Sequence, residues 1–199
     1  GDCDDDVVRG GNESVLRARY EDAAFFYDAD LQVDLTELRA GISKLTFEDR
    51  LGSMADRSDR IKDVAAALAE TIDLDASGRE TLSRAGELAK FDLSSQMVVE
   101  LSSLAGFMAK EYAAKAGETP EVASALWEME LPRTTGGPLP TSVPGALLAL
   151  ADRFDLLTAM FAIGAKPTGS SDPFALRRAA LGVASILRGV DGVGAVTIS

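Results

Sequence analysis

The chain has 199 residues, 46% apolar and 26% charged, a globular composition long enough for one domain with a sizeable core. Its 20 Lys and Arg against 32 Asp and Glu leave a net charge of −12, which argues against a protein that coats nucleic acid, since that requires a basic surface to release counterions. Histidine is absent, which excludes imidazole metal sites, Ser–His and Cys–His catalytic pairs and histidine general bases.

Residues 1–10 read as an acidic linker: Asp2, Asp4, Asp5 and Asp6 form a solvated run that lacks the Gly and distal Glu of a calcium loop. The same run has the wrong charge for the start of a signal peptide. Cys3 is the only cysteine, so no internal disulfide forms, and a reducing compartment is the simplest expectation. Asn12 is placed to cap a helix through Leu16, Tyr20, Ala23, Ala24, Tyr27 and Leu31. Asp34-Leu35-Thr36-Glu37 resembles a capping box, and Leu35, Leu38, Ile42 and Leu45 form the stripe behind it. Thr46 is expected to cap a short turn through Phe47 and Leu51. The spacing of Ile61, Val64, Leu68 and Ile72 predicts a helix over 54–72, with another over 77–90.

Residues 94–116 read as one or two helices divided near Ser102-Ser103. Thr119-Pro120 is an N-cap followed by a first-turn proline, opening a helix to about Met129. After a Gly/Pro-rich loop, Leu131 to Pro144, the stretch 144–163 is apolar on most sides and predicts a central buried helix, with Leu147, Leu150, Phe154, Leu157 and Phe161 in the core. A loop over 164–171 leads to Asp172-Pro173, the expected start of the last helix, which ends near Arg188. Gly189, Gly192 and Gly194 weaken any helix in the tail 189–199, which reads as a short strand or an unordered end. No repeat, no strand alternation before the tail and no apolar run near the roughly 20 residues of a membrane span are present. The expectation is an all-α domain of about eight or nine helices over 11–188, flanked by the linker and the tail.

Chemistry-bearing residues are few. Asp92 follows Ala89-Lys90-Phe91, and Asp152 and Asp155 lie on the apolar stretch around Leu150. A carboxylate there needs a partner, because an unpaired buried charge is costly. The ordinary solution is a salt bridge or a cap. A metal is the alternative, although two carboxylates without imidazole suit a transition metal poorly and leave only Mg²⁺ through waters. The Gly164–Gly169 loop continues Ser-Ser where a phosphate-binding loop needs Lys-[Ser/Thr]. Trp127 and Phe25-Phe26-Tyr27 sit at helical spacing and read as core; Glu128 and Glu130 beside Trp127 would also repel a phosphate backbone.

Charge is unevenly distributed. Residues 131–190 hold six Lys/Arg, namely Arg133, Arg153, Lys166, Arg177, Arg178 and Arg188, against Asp152, Asp155 and Asp172. Lys166 falls beside the start of the last helix, where free backbone N–H groups suit a phosphate, with Asp172 competing for them. Arg177 and Arg178 are about 100° apart on that helix, so one of them is expected to pair inward with Asp152 or Asp155.

Four segments carry a family resemblance. They are Gly11-Asn-Glu-Ser-Val-Leu-Arg-Ala-Arg-Tyr-Glu-Asp-Ala-Ala-Phe-Phe26, Leu45-Thr-Phe-Glu-Asp-Arg-Leu-Gly-Ser53, Val143-Pro-Gly-Ala-Leu-Leu-Ala-Leu-Ala-Asp-Arg-Phe-Asp155 and Ile163-Gly-Ala-Lys-Pro-Thr-Gly-Ser-Ser-Asp-Pro-Phe-Ala-Leu-Arg-Arg-Ala-Ala-Leu-Gly-Val183. In this order, across 11–188, the chain resembles the β subunit of bacterial-type glycyl-tRNA synthetase, or the β half of its fused forms. The resemblance implies an HD-like helical domain from the middle of that subunit. Phe91 then stands where an HD phosphohydrolase has its His, Asp92 at the paired Asp and Asp152 at the last Asp, so the metal site is vestigial. It further implies that glycine activation, with ATP and Mg²⁺, takes place on the α subunit and that this chain holds no cofactor. The implied partners are tRNA(Gly), the α subunit and the remaining β-subunit domains, in the cytoplasm and without a membrane. The expected role is a non-catalytic tRNA-contacting and structural module, with Lys166, Arg177, Arg178, Arg133 and Arg153 as contacts. The alternatives are a metal-dependent phosphohydrolase using Asp92 and Asp152, or a purely structural spacer.

Overall fold

A computed structural model of the protein describes residues 5–169 and 171–196. Among them the chain forms nine α-helices: α1 (Asp5–Asp30), α2 (Leu35–Gly41), α3 (Met54–Ala69), α4 (Ala76–Glu87), α5 (Gln96–Glu100), α6 (Phe107–Lys115), α7 (Pro120–Glu128), α8 (Val143–Ala162) and α9 (Leu176–Gly189). One antiparallel hairpin, β1 (Thr46–Glu48) with β2 (Gly52–Ser53), joins α2 to α3. The all-α expectation holds. The hairpin replaces the capped turn expected at Thr46; with strands of three and two residues, no alternation registers in the sequence.

α8 is the axis of the bundle and packs against α3, α4, α7 and α9. Its Ser142 caps the first turn by accepting the Gly145 N–H, and Pro144 occupies a first-turn position where it forfeits no helix bond. Leu147 and Leu150 are fully buried. Phe154 and Leu157 are only half-buried and Phe161 is 47% exposed, which corrects the expectation that all five are core. The last turns of α8 are buried on one side only: Met160 is fully buried, while Phe161, about 100° further round the helix, faces outward.

Local signals set most helix ends. Ser53 and Asp56 close a reciprocal capping box that starts α3. Asp75 caps α4 and Thr119 caps α7. Asp34 caps α2 through the Thr36 N–H and hydroxyl, so Thr36 and not Glu37 completes that motif. The division expected near Ser102-Ser103 is a 3₁₀ turn, Ser102–Leu104, between α5 and α6.

Three boundaries differ from expectation. The acidic stretch is helical from Asp5 onward, Asn12 is an exposed interior residue of α1, and Gly10-Gly11 does not interrupt the helix. The last helix begins at Leu176, one turn after Asp172-Pro173. The tail packs inward, with Val193 fully buried beside the core, so it is neither a strand nor unordered as far as residue 196. Cys3 and residues 197–199 lie outside the described residues.

Among the described residues, α1 becomes buried in its last turns, from Ala23 to Asp30. Asp30 accepts the Gln96 and Met97 N–H groups at 2.8 and 2.9 Å and the Tyr112 hydroxyl at 2.8 Å, capping α5 from a distant part of the chain. Phe25 on this helix is 67% exposed, contrary to its assignment to the core, while Phe26 and Tyr27 pack against it.

Candidate functional site

Between α4 and α5 the chain makes the turn that holds Phe91 and Asp92. α4 stops at Glu87, and Lys90 adopts a left-handed backbone with φ of +64°. This conformation is uncommon for a side chain of its size and aims the chain into the 3₁₀ turn Phe91–Ser94. Phe91 is fully buried in the main core. Asp92 is buried beside it and accepts the Gly106 N–H at 2.7 Å. Burial pushes its carboxyl up to about 6, against the opposing pull of that N–H and of Lys90.

Lys90 is the residue that organises the surroundings. Its ammonium donates to Glu130 Oε1 at 2.7 Å and lies 3.1 Å from Asp152 Oδ1. Burial alone would lower the Lys90 pKa, but Asp152 and Glu130 outweigh it and hold it above the ordinary value. On the other side, Arg57 reaches Asp152 at 3.0 Å and Asp155 at 3.2 Å, and Arg60 reaches Asp155 at 2.5 Å. Burial of Asp152 is opposed by Lys90 and Arg57, and its carboxyl is held below its usual range. Phe47 of the hairpin lies under the Arg57 guanidinium, 4.5 Å from the ring centre.

The expected partners of these acids are therefore corrected. Neither Arg177 nor Arg178 pairs with Asp152 or Asp155; Lys90, Arg57 and Arg60 do. Arg57 and Arg60 are three residues apart on α3 and share a face, a signal present in the sequence and missed there. Lys90 stands two residues before Asp92 and left no comparable mark, because its reach depends on a backbone turn that spacing does not reveal.

The same geometry tests the vestigial metal site. A divalent cation bound by Asp92 and Asp152 needs their free oxygens. Here the Lys90 ammonium holds Asp152 together with Glu130, while Asp92 faces the Gly106 amide and Phe91 supplies no donor. No group of three or more potential ligands converges among the described residues. This donor set does not fit a catalytic metal.

The five candidate cations divide. Arg133, Arg153 and Arg178 line one cavity of about 300 Å³ together with Glu130, Asp152 and Phe174, between α8, α9 and the loop after α7. Lys166 and Arg177 are not part of it. Lys166 is exposed on the loop before α9, and the Arg177 guanidinium donates to the Thr168 carbonyl. The N–H groups expected to receive a phosphate beside Lys166 are occupied: Asp172 accepts from Leu176 and Arg177 at 2.8 and 3.0 Å. Arg153 is buried and donates to the carbonyls of Met129, Ala149 and Pro132 at 3.2, 2.9 and 3.1 Å, so it braces the loop after α7 from within. Arg133 is exposed, donates to the Ser103 carbonyl at 2.9 Å and rests over the half-buried Trp127.

The family model for the glycyl-tRNA synthetase beta subunit matches residues 1–192. The chain belongs to this family. It is 48% identical over 182 residues to the glycine–tRNA ligase beta subunit of Desulforamulus reducens, covering 92% of this chain and 26% of that protein. The beta subunits of Shouchella clausii and Halothermothrix orenii are 47% and 44% identical, each over 180 residues, with 90% of this chain and 26% of each relative covered. The chain thus spans about a quarter of the length of the curated relatives it matches. Among the described residues no helix is long and apolar enough to cross a membrane, so α8, though the most apolar helix of this beta-subunit segment, is a bundle core.

Proposed function

We propose that this chain serves within a glycine–tRNA ligase as a tRNA-contacting and structural module that performs no chemistry of its own. The observation that carries the reading is the Lys90 ammonium between Asp152 and Glu130: an internal cation occupies Asp152, one of the two acids that a hydrolase would offer to metal. What this arrangement leaves is a rigid scaffold with outward cations. The relatives' name supplies the ligase context. On this reading ATP, Mg²⁺ and glycine activation belong to the α subunit. The partners are that subunit, the other beta-subunit domains and tRNA(Gly), all in the cytoplasm.

The contact side is the C-terminal third, where Arg133, Lys166 and Arg178 are exposed on a chain that is otherwise strongly acidic. The acidic remainder confines a polyanion to this side. The test is the intact ligase with Lys166→Ala and Arg178→Ala, assayed for tRNA affinity across a salt series and for glycine-dependent ATP–pyrophosphate exchange. Each substitution is expected to weaken tRNA binding and flatten its salt slope by about one charge or less, with exchange unchanged. Unchanged affinity and slope in both would assign the chain the role of a spacer.

A further inference from the structure

We infer that the cavity between α8, α9 and the loop after α7 seats one nucleoside monophosphate unit, with its phosphate between Arg178 and Arg133 and its base against Phe174. The proposal rests on the tRNA-contacting reading for the source of that unit, an unpaired or terminal nucleotide of RNA. The cavity itself is argued from its lining.

Three arginines line it, and the two carboxylates that would cancel them are already committed. Glu130 and Asp152 both line the cavity, yet both are held by Lys90, with Arg57 also on Asp152. Arg178 is exposed and makes no hydrogen bond or ion pair among the described residues. Beyond the cavity it influences Asp172 electrostatically but does not bridge it, because both Asp172 oxygens cap the start of α9. Arg133 is fixed in place by the Ser103 carbonyl and the Trp127 ring. Arg153 adds a third positive charge at the base of the cavity, tied to backbone carbonyls and unable to swing out. An excess of fixed guanidinium charge with donors to spare selects phosphate over neutral ligands.

The apolar element of the lining is equally specific. Phe174 is 38% exposed at the rim, directly after Pro173. An exposed aromatic ring beside an arginine is the pairing that stacks a base while its phosphate is held. A volume of about 300 Å³ is at the small end for ligand sites and matches one nucleotide rather than a strand. A duplex does not enter such a recess, whereas single-stranded RNA presents splayed bases that do.

The test uses this chain, titrated by calorimetry with AMP, adenosine, inorganic phosphate and a short single-stranded RNA, alongside tRNA binding by the intact ligase. One AMP is expected per chain, bound more tightly than phosphate or adenosine. Arg178→Ala is expected to weaken AMP and phosphate about tenfold. Phe174→Ala is expected to weaken AMP about fivefold or more and leave phosphate unchanged. Both residues are surface-exposed, so the fold survives either change, and Lys44→Ala, an exposed position away from the cavity, serves as the neutral control. No AMP binding at millimolar concentration, or binding indifferent to Arg178→Ala and Phe174→Ala, overturns the proposal. If AMP behaves as expected but the short RNA and the ligase's tRNA affinity ignore Arg178→Ala, the cavity stands as a free-mononucleotide site and it is the tRNA-contacting reading that falls.

Discussion

Lys90 Nζ lies 3.1 Å from Asp152 Oδ1 and 2.7 Å from Glu130 Oε1, so a single ammonium ties the turn after α4 to the middle of α8 and to the start of the loop after α7. All three residues are largely buried, and the pair is reinforced from behind by Arg57. A cluster of this kind contributes through its completeness: with every charge matched its net worth is small, while the loss of one member strands the others.

Lys90→Met is therefore expected to be strongly destabilising, by about 3–5 kcal/mol, because it leaves Asp152 and Glu130 together without their shared cation. Urea denaturation gives the value directly. Adding Glu130→Gln to Lys90→Met is expected to recover part of the loss, since one stranded charge is removed. Equal destabilisation by the single and double variants would deny the coupling.

The buried Asp92 predicts a pH dependence of unusual sign. Its carboxyl is raised from 3.8 to about 6 by burial, so in that interval the folded state binds the proton more readily than the unfolded state. Stability then falls as pH rises from about 4 to about 6, by an amount on the order of 3 kcal/mol for a two-unit shift. Asp92→Asn keeps an acceptor for the Gly106 N–H and has no proton to lose. It is expected to flatten this part of the stability–pH curve; a curve identical to that of the natural protein would place the raised carboxyl elsewhere.

The helices were legible wherever a cap and a stripe coincide, as at Thr119-Pro120 for α7 and across Val143–Ala162 for α8. Charge asymmetry likewise marked the C-terminal third, from which the cavity draws Arg133, Arg153 and Arg178. What the sequence withheld depends on tertiary reach. Arg153 looks like any other surface arginine until the loop after α7 folds its carbonyls around it. The Lys90 contacts depend on a left-handed residue that no local pattern announces. Phe161 belongs to an apolar run, but it falls on the outer side of α8 while its neighbour Met160 is fully buried.

Leu150 and Phe161 provide a paired measurement on α8. Leu150 is fully buried, and Leu150→Ala is expected to cost about 2–5 kcal/mol through lost contacts and the cavity left behind. Phe161 is 47% exposed, and Phe161→Ala should cost about 1 kcal/mol or less. Comparable losses at both positions would mean that the end of α8 is covered in solution.

Gly182 offers a test of how Arg153 is held. A Cβ at this position of α9 would lie 2.6 Å from Arg153 Nε and 3.2 Å from its Cδ, so α9 approaches α8 closely only because no side chain intervenes. Gly182 is buried within a helix and has no unusual backbone angle, so alanine is favoured there by about 1 kcal/mol on propensity alone. The clash acts in the opposite direction. Arg153 has little room to yield, since its guanidinium donates to Met129, Ala149 and Pro132 and anchors the loop that carries Arg133. Gly182→Ala is expected to be net destabilising by about 1–3 kcal/mol, as overpacked cores are. It should also loosen the loop after α7, read as faster amide exchange from residue 131 to 141. A stabilising Gly182→Ala with unchanged exchange would show that Arg153 moves aside freely, and the base of the cavity would then be a flexible cation rather than a fixed one.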